Sequence, residues 1–272
     1  MSMLKDDWIY SYSQLSAFDE CPFSFYLERI EKGNEKLSNA FAERGSLIHD
    51  ILDKWAKNEL TKPQMLEEYE SRYGTEVVTQ FPRMLAAKGY TEKAYKIGQD
   101  YFKNFDEFEG YEIVASEEKF KIDLELADGT TRPFIGIIDM VLRKVDDLNG
   151  GLIICDHKSK SWSSFKKAEK SMYRQPLIYA AYVKQKYGEY PKTIMFNLFN
   201  EMGDKASKPF TIEDYNEAIN WATDCIHQIE EYDLLDWLTS KTEPDFFCES
   251  LCASRGSCSI GNKPKPRKNK IK

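Results

Sequence analysis

From Ser13 to about residue 110, apolar positions recur three and four apart, the spacing of one helical face. Ser13 is placed to cap a helix running through QLSAFDECPFSFYLERI, with Pro22 inside it. GSLIHDILDKWAKNEL puts Leu47, Ile48, Ile51, Leu52 and Trp55 on one stripe, with His49 at its border. Two further helices are expected over 64–88 and 91–109, parted at Gly89. The period then drops to two. EIVASEEKFKIDLEL alternates from about Glu118 to Leu126, ADGTT offers a hairpin turn at Asp128-Gly129, and PFIGIIDMVLRK returns as a strand apolar on both faces. The strand GLIICDHK, a helix over 164–187, the strand YPKTIMFNLFN and a long helix over 211–239 follow, the last starting with Thr211 and Asp214 in a capping-box-like pair.

Alternating strands and helices of this kind predict an α/β fold with a central mixed sheet and large helical additions. The expected organisation is a single domain over 1–262, with a helical part at about 12–110, an α/β core at about 111–240 and a Cys-rich segment at 241–262. Residues 263–272 read as a disordered basic tail.

Two of the strands end in charge. Asp156 and Lys158, two apart, project to one face of GLIICDHK, while the His157 side chain points to the other. Asp139 interrupts the apolar run FIGIIDMVL. A buried carboxylate is costly unless it is paired or metal-bound. The bland account is an Asp139–Lys158 ion pair. The sharper one is a divalent cation held by the two acids, which acidifies a water and polarises a phosphate, with Lys158 offsetting the charge that develops on phosphorus. D-x-K alone is weak, since chance supplies about one in a chain of this length; its place at the end of an apolar strand gives it weight.

Charge and composition narrow the partners. The net charge of −7 includes six cations in the last ten residues, KPKPRKNKIK, so the other 262 residues carry −13. Such a body repels duplex DNA over most of its surface, and nucleic acid must be met in a local basic groove or through the tail. No run of 18 apolar residues exists, which excludes a membrane-spanning helix, and MSMLKDDWIY lacks a signal-peptide core, so a cytoplasmic location is expected. Six cysteines in that compartment point away from disulfides. Cys155 and Cys225 read as small core residues.

Taken in order along the chain, these segments resemble the PD-(D/E)XK nuclease superfamily, and within it the RecB/AddB-like exonuclease branch. YSYSQLSAFDECPFSFYLERI resembles that branch's opening helix, GSLIHDIL its G-x-x-x-H segment, GIIDMV its G-x-x-D strand, ICDHKS its D-x-K strand and YRQPLIYAAY its Q-x-x-x-Y helix. The resemblance implies His49, Asp139, Asp156 and the His157 backbone carbonyl as ligands of Mg²⁺ or Mn²⁺. It also implies Asp139, Asp156 and Lys158 as catalytic groups, with Gln175 and Tyr179 facing the active site or DNA, although Pro176 puts Gln175 at a helix start or kink. Glu117 or Glu118 corresponds to an acid of the preceding strand.

Cys21, with Cys248, Cys252 and Cys258 of CESLCASRGSC, resembles the four-cysteine [4Fe–4S] arrangement of the same branch, although the spacing is C-x3-C where C-x2-C is common. Four thiolates hold Zn²⁺ as well, the alternative occupant. The implied activity is a DNA exonuclease acting on single strands or ends in recombination, repair or phage DNA processing. A nuclease of CRISPR adaptation and a catalytically silent DNA-binding scaffold are the alternatives. No GxxxxGK[ST] loop is present, so a helicase or recombination partner is a separate protein.

Overall fold

The computed structural model describes residues 4, 7–31, 36–106, 108–146, 151–201, 204–240 and 245–258. The basic tail at 263–272 and most of the expected 145–150 loop lie outside them. Six strands form one mixed sheet: β1 (Tyr10–Ser11), β2 (Tyr111–Glu125), β3 (Thr131–Lys144), β4 (Ile153–Lys158), β5 (Thr193–Leu198) and β6 (Asp204–Pro209). The order is β1-β3-β4-β5-β6, with β2 paired to the other edge of β3. β4 and β5 run parallel and are joined through helices; β2–β3, β3–β4 and β5–β6 are antiparallel. The hairpin turns where expected, with Gly129 at φ 80° and Glu125 opposite Thr131.

One face of the sheet carries α1 (Tyr12–Glu20), α2 (Pro22–Phe25) with a π-helical turn at Tyr26–Ile30, then, later in the chain, helices that follow β4 and β6. The other face carries α3 (Ala40–Ala56), α4 (Lys62–Glu76), α5 (Arg83–Ala86) and α6 (Tyr90–Lys103). Between β4 and β5 lie α7 (Trp162–Lys167) and α8 (Glu169–Tyr187); after β6 come α9 (Ile212–Glu231), α10 (Leu234–Thr239) and α11 (Phe246–Ser250). Each face has its own core. Leu15, Phe25, Phe134, Ile154, Ile178 and Ile226 belong to the first, and Leu47, Ile51, Tyr69, Tyr101, Met140 and Met195 to the second.

The helix boundaries depart from the sequence reading for local reasons. The first expected helix breaks at Cys21, whose extended backbone (φ −161°, ψ 102°) lets Pro22 begin a new helix, where its missing N–H costs nothing. The expected 64–88 helix stops at Glu76, and Pro82 precedes a separate turn of helix. The 91–109 helix ends at Lys103, and the 211–239 helix is cut at Asp233, which caps α10 through Leu235 N and Asp236 N. Pro176 neither starts nor splits a helix: it lies inside α8. PFIGIIDMVLRK is not buried on both faces throughout, because Ile135 and Ile137 are 40% and 41% exposed.

Candidate metal centre

The site begins at a fork in the sheet. One edge of β3 pairs with β1 at Phe134 and Ile135, then with β4 at Met140, Val141 and Leu142. Between those pairings, residues 136–139 have no strand on that edge among the described residues. β4 runs on past the fork paired only with β5, its edge toward β3 left open, and Asp139 fills the gap: its Oδ2 accepts from His157 N at 2.8 Å. A carboxylate therefore replaces the ladder bond that the diverging strands cannot make.

At the same level both long strands turn over. Strand residues two apart normally share a face. Ser116 reaches α3, donating to Asp53 Oδ1, whereas Glu118 reaches α8, accepting from Tyr182 Oη at 2.7 Å and from Tyr187 Oη at 2.9 Å and pairing with Lys186. On β3, Ile138 joins one core and Met140 the other. The reversal on β2 passes through Glu117, whose φ of 45° is unusual for a residue with a side chain. Backbone strain of this kind concentrates at functional positions. Here it turns Glu117 toward the site, while Glu118 is spent on three partners from α8.

α3 brings the imidazole. Asn39 caps it, accepting from Phe41 N and Ala42 N, and the buried stripe Leu47, Ile48, Ile51 and Leu52 seats it on the sheet. His49, at the edge of that stripe, donates Nε2–H to the His157 carbonyl at 3.1 Å. Its Nδ1 then faces Asp139 Oδ2 at 3.7 Å and Glu117 Oε1 at 3.9 Å. Burial works against a proton on this ring, but Asp139 and Glu117 outweigh it and raise its pKa. His49, Glu117 and Asp139 each present a ligand atom within 4.8 Å of the others. One imidazole nitrogen with carboxylate oxygens suits a hard divalent cation, and a second ring N–H held by a carbonyl is the usual support of a ligating histidine.

Beside this trio stands a buried ion pair. Asp156 is 4% exposed, and its Oδ2 lies 2.7 Å from Lys158 Nζ. Burial pushes the Asp156 carboxyl up to about 6; the Lys158 charge opposes that rise and Asp139 adds to it. Burial pulls the Lys158 ammonium down, yet Asp156 and Asp139 together raise it, so the amine stays charged. Lys158 also donates to Gln175 Oε1 at 3.2 Å, and Gln175 Nε2 donates to Tyr179 Oη at 3.4 Å. The polar line thus runs from β4 along one turn of α8.

His49, Glu117, Asp139, Gln175 and Tyr179 are among the residues lining a cleft of about 670 Å³. The end of β4 is braced from behind. Arg44, 3% exposed, donates Nη1–H to Asn200 Oδ1 at 2.7 Å, and Asn200 donates to the Ser159 carbonyl at 2.6 Å.

The family model described as the PD-(D/E)XK nuclease superfamily matches residues 9–259. The chain belongs to that superfamily. A solved structure that it resembles is a "Putative exonuclease" from Eubacterium rectale, 14% identical, covering 95% of this chain and 91% of that one at a TM-score of 0.48. No curated protein matches the chain in sequence.

In this PD-(D/E)XK chain the residues expected from sequence fall into two adjoining groups. His49 and Asp139 come together with Glu117; Asp156, Lys158, Gln175 and Tyr179 form the line beside them. The Asp139–Lys158 pair of the bland account is replaced by Asp156–Lys158. The His157 carbonyl, expected as a ligand, accepts from His49 and retains a second lone pair. The His157 ring is on the far face as expected: Asn197 Nδ2 lies 3.1 Å from its Nδ1, and burial lowers its pKa, so it stays neutral. Sequence reasoning missed Arg44 and Asn200, since an arginine in a helix reads as a solvated residue.

None of the six cysteines, all among the described residues, forms a disulfide. The segment with Cys248, Cys252 and Cys258 docks on the N-terminal helices: Leu37 N donates to Ala253 O, Arg255 Nη2 to Ser38 O, and Ser24 Oγ lies 3.4 Å from Cys252 Sγ. Cys21 and Cys258 pack against the same core. No three cysteine sulfurs among the described residues lie within 4.8 Å of one another.

Proposed function

We propose that the protein is a metal-dependent DNA exonuclease that hydrolyses phosphodiester bonds on single strands or DNA ends, in recombination, repair or phage DNA processing. The observation that carries this reading is the convergence of His49, Glu117 and Asp139 within 4.8 Å, beside the buried Asp156–Lys158 pair. His49, Glu117 and Asp139 would hold Mg²⁺ or Mn²⁺, with Asp156 and the His157 carbonyl completing the oxygen set. A bound divalent cation supplies a Lewis acid and a water acidified toward neutral pH.

The chain's own groups do the positioning. Asp156 and Gln175 hold the Lys158 ammonium between them, and Tyr179 fixes the Gln175 amide. An ammonium so held stabilises negative charge building on the phosphoryl oxygens without reorganising at the moment of reaction. A water oxygen joins phosphorus and gives up one proton as the bond to the leaving sugar oxygen breaks, and that leaving oxygen takes up one proton. Recognition through phosphate and metal leaves base sequence largely unread.

The decisive experiment incubates the purified protein with end-labelled single- and double-stranded DNA, with and without Mn²⁺. Metal-dependent shortening from an end supports the reading; intact DNA under every condition removes it.

Four thiols on two facing segments suit a [4Fe–4S] cluster that joins the ends of the chain, and we assign it a structural role in the RecB/AddB-like manner. About four iron and four sulfide per chain after anaerobic purification would support it. One zinc and no sulfide would replace it.

A further inference from the structure

The cleft has a floor that the catalytic groups do not use. Ile135 and Ile137 lie on the exposed face of β3, at 40% and 41% exposure, and line the same cavity as His49, Glu117 and Asp139. Pairing sets Lys121 opposite Ile135 and Lys119 opposite Ile137 on β2, with Ser11 of β1 on the other side of Ile135. The result is an apolar strip, two residues long, leading to the metal centre with a lysine beside each isoleucine.

Charge marks this strip out. The chain carries −7 overall. Other basic side chains near the sheet are neutralised, as Lys186 is by Glu118 and Arg132 by Glu230. Lys119 and Lys121 are exposed and have no ion-pair partner among the described residues. The next exposed residues along that face of β2 are Asp123 and Glu125, which end the positive run. Two half-exposed isoleucines forgo burial that each could otherwise gain, and their neighbours are cations that match a polyanion.

We infer that this strip is the platform for the uncleaved part of a single-stranded polynucleotide, its bases lying on Ile135 and Ile137 and its phosphates beside Lys121 and Lys119. The inference rests on the nuclease reading above and adds the path of the strand. A base pair inside a duplex keeps its faces stacked on its neighbours, so only an unpaired strand can lay its bases on side chains this way. Contact with the face of a base is indifferent to base identity. From Ile135 to Asp139 is four residues, about 13 Å of strand, or roughly four nucleotides at a stacked rise of 3.4 Å.

The test is equilibrium binding of labelled oligothymidylates of two to ten nucleotides to the full chain in EDTA, where cleavage is suppressed. Affinity should climb with length to about four nucleotides and then level off. The double variant Ile135→Ser/Ile137→Ser should lose about tenfold in affinity for these oligonucleotides and nothing for abasic oligomers of the same length. Lys119→Ala/Lys121→Ala should weaken both substrates and flatten the dependence of log K on log salt by about 1.4. Circular-dichroism melting at the wild-type temperature controls for folding.

Equal losses on normal and abasic strands in the isoleucine variant, or unchanged binding by either variant, overturn the platform. So does a wild-type dimer that the isoleucine variant dissolves without touching DNA binding, which would assign the strip to self-association. The same oligonucleotides with Mn²⁺ separate the two readings. Binding without cleavage leaves the platform and removes the nuclease; cleavage with variants that bind and turn over as wild type does the reverse.

Discussion

His49 donates its Nε2 proton to the His157 carbonyl at 3.1 Å, while the same peptide's neighbour on the other side, His157 N–H, donates to Asp139 at 2.8 Å. One residue of β4 thereby fixes a helix-borne imidazole and a strand-borne carboxylate through its backbone alone. Its own ring is held on the opposite face by Asn197. That grip leaves His49 Nδ1 directed at Asp139 and Glu117, and several consequences can be measured.

Glu117 and Glu118 are adjacent, yet one faces His49 and the other is bound by Tyr182, Tyr187 and Lys186. Glu117→Gln should weaken Mn²⁺ binding by about tenfold or more, and Glu118→Gln should leave it unchanged. Titration calorimetry with Mn²⁺ alone reads both; equal effects would contradict the assignment.

Glu117→Gly separates stability from function. At φ 45° a glycine is unstrained where glutamate is not, so the variant should gain about 1 kcal/mol while losing metal affinity. A urea midpoint that falls would show that the turned backbone depends on the glutamate itself.

Lys158→Ala should lower cleavage by about 10²–10³-fold, with DNA binding retained. Single-turnover rates and binding isotherms on the same protein decide this. Loss of binding in step with rate would place the lysine in affinity instead of chemistry.

Gly136 backs onto the wall of the cleft. A Cβ there would stand 2.5 Å from Phe120 Cζ and 2.8 Å from Tyr179 Cε1, both in rings packed edge to face. Gly136→Ala should cost about 1–3 kcal/mol and displace Tyr179 from Gln175. Chemical denaturation gives the first number and the turnover rate the second.

At the start of β3, Glu230 of α9 accepts from Arg132 at 2.7 Å and from Tyr10 of β1 at 3.0 Å. The Arg132 hydrogen bond holds the Glu230 carboxyl below its usual value. A depressed carboxylate contributes stability that is complete above the unfolded pKa, about 4.3, and is lost as pH falls through the folded value. Glu230→Gln should therefore be less stable than wild type at pH 7, with the gap closing as the pH drops below about 4. Urea midpoints across that range check the sign.

The sequence by itself determined whatever depends on neighbours in the chain. Period two and a turn at Asp128-Gly129 specify the hairpin, the Leu47–Leu52 stripe specifies α3, and alternation along a strand puts Asp156 and Lys158 together with His157 opposed. Each follows from backbone geometry within a few residues. Family motifs added His49, Asp139, Gln175 and Tyr179 because their order is itself a one-dimensional pattern. Tertiary structure decided the rest. The choice of Glu117 over Glu118 needed the reversal of β2 and β3, which also hid the strand between Tyr111 and Glu117 by breaking its alternation. The exposure of Ile135 and Ile137 depends on what covers that face of β3, and the hold of Asn200 on Ser159 joins residues 41 positions apart. Such relations depend on which elements pack beside one another, and an amino acid's type carries no record of what stands across a sheet.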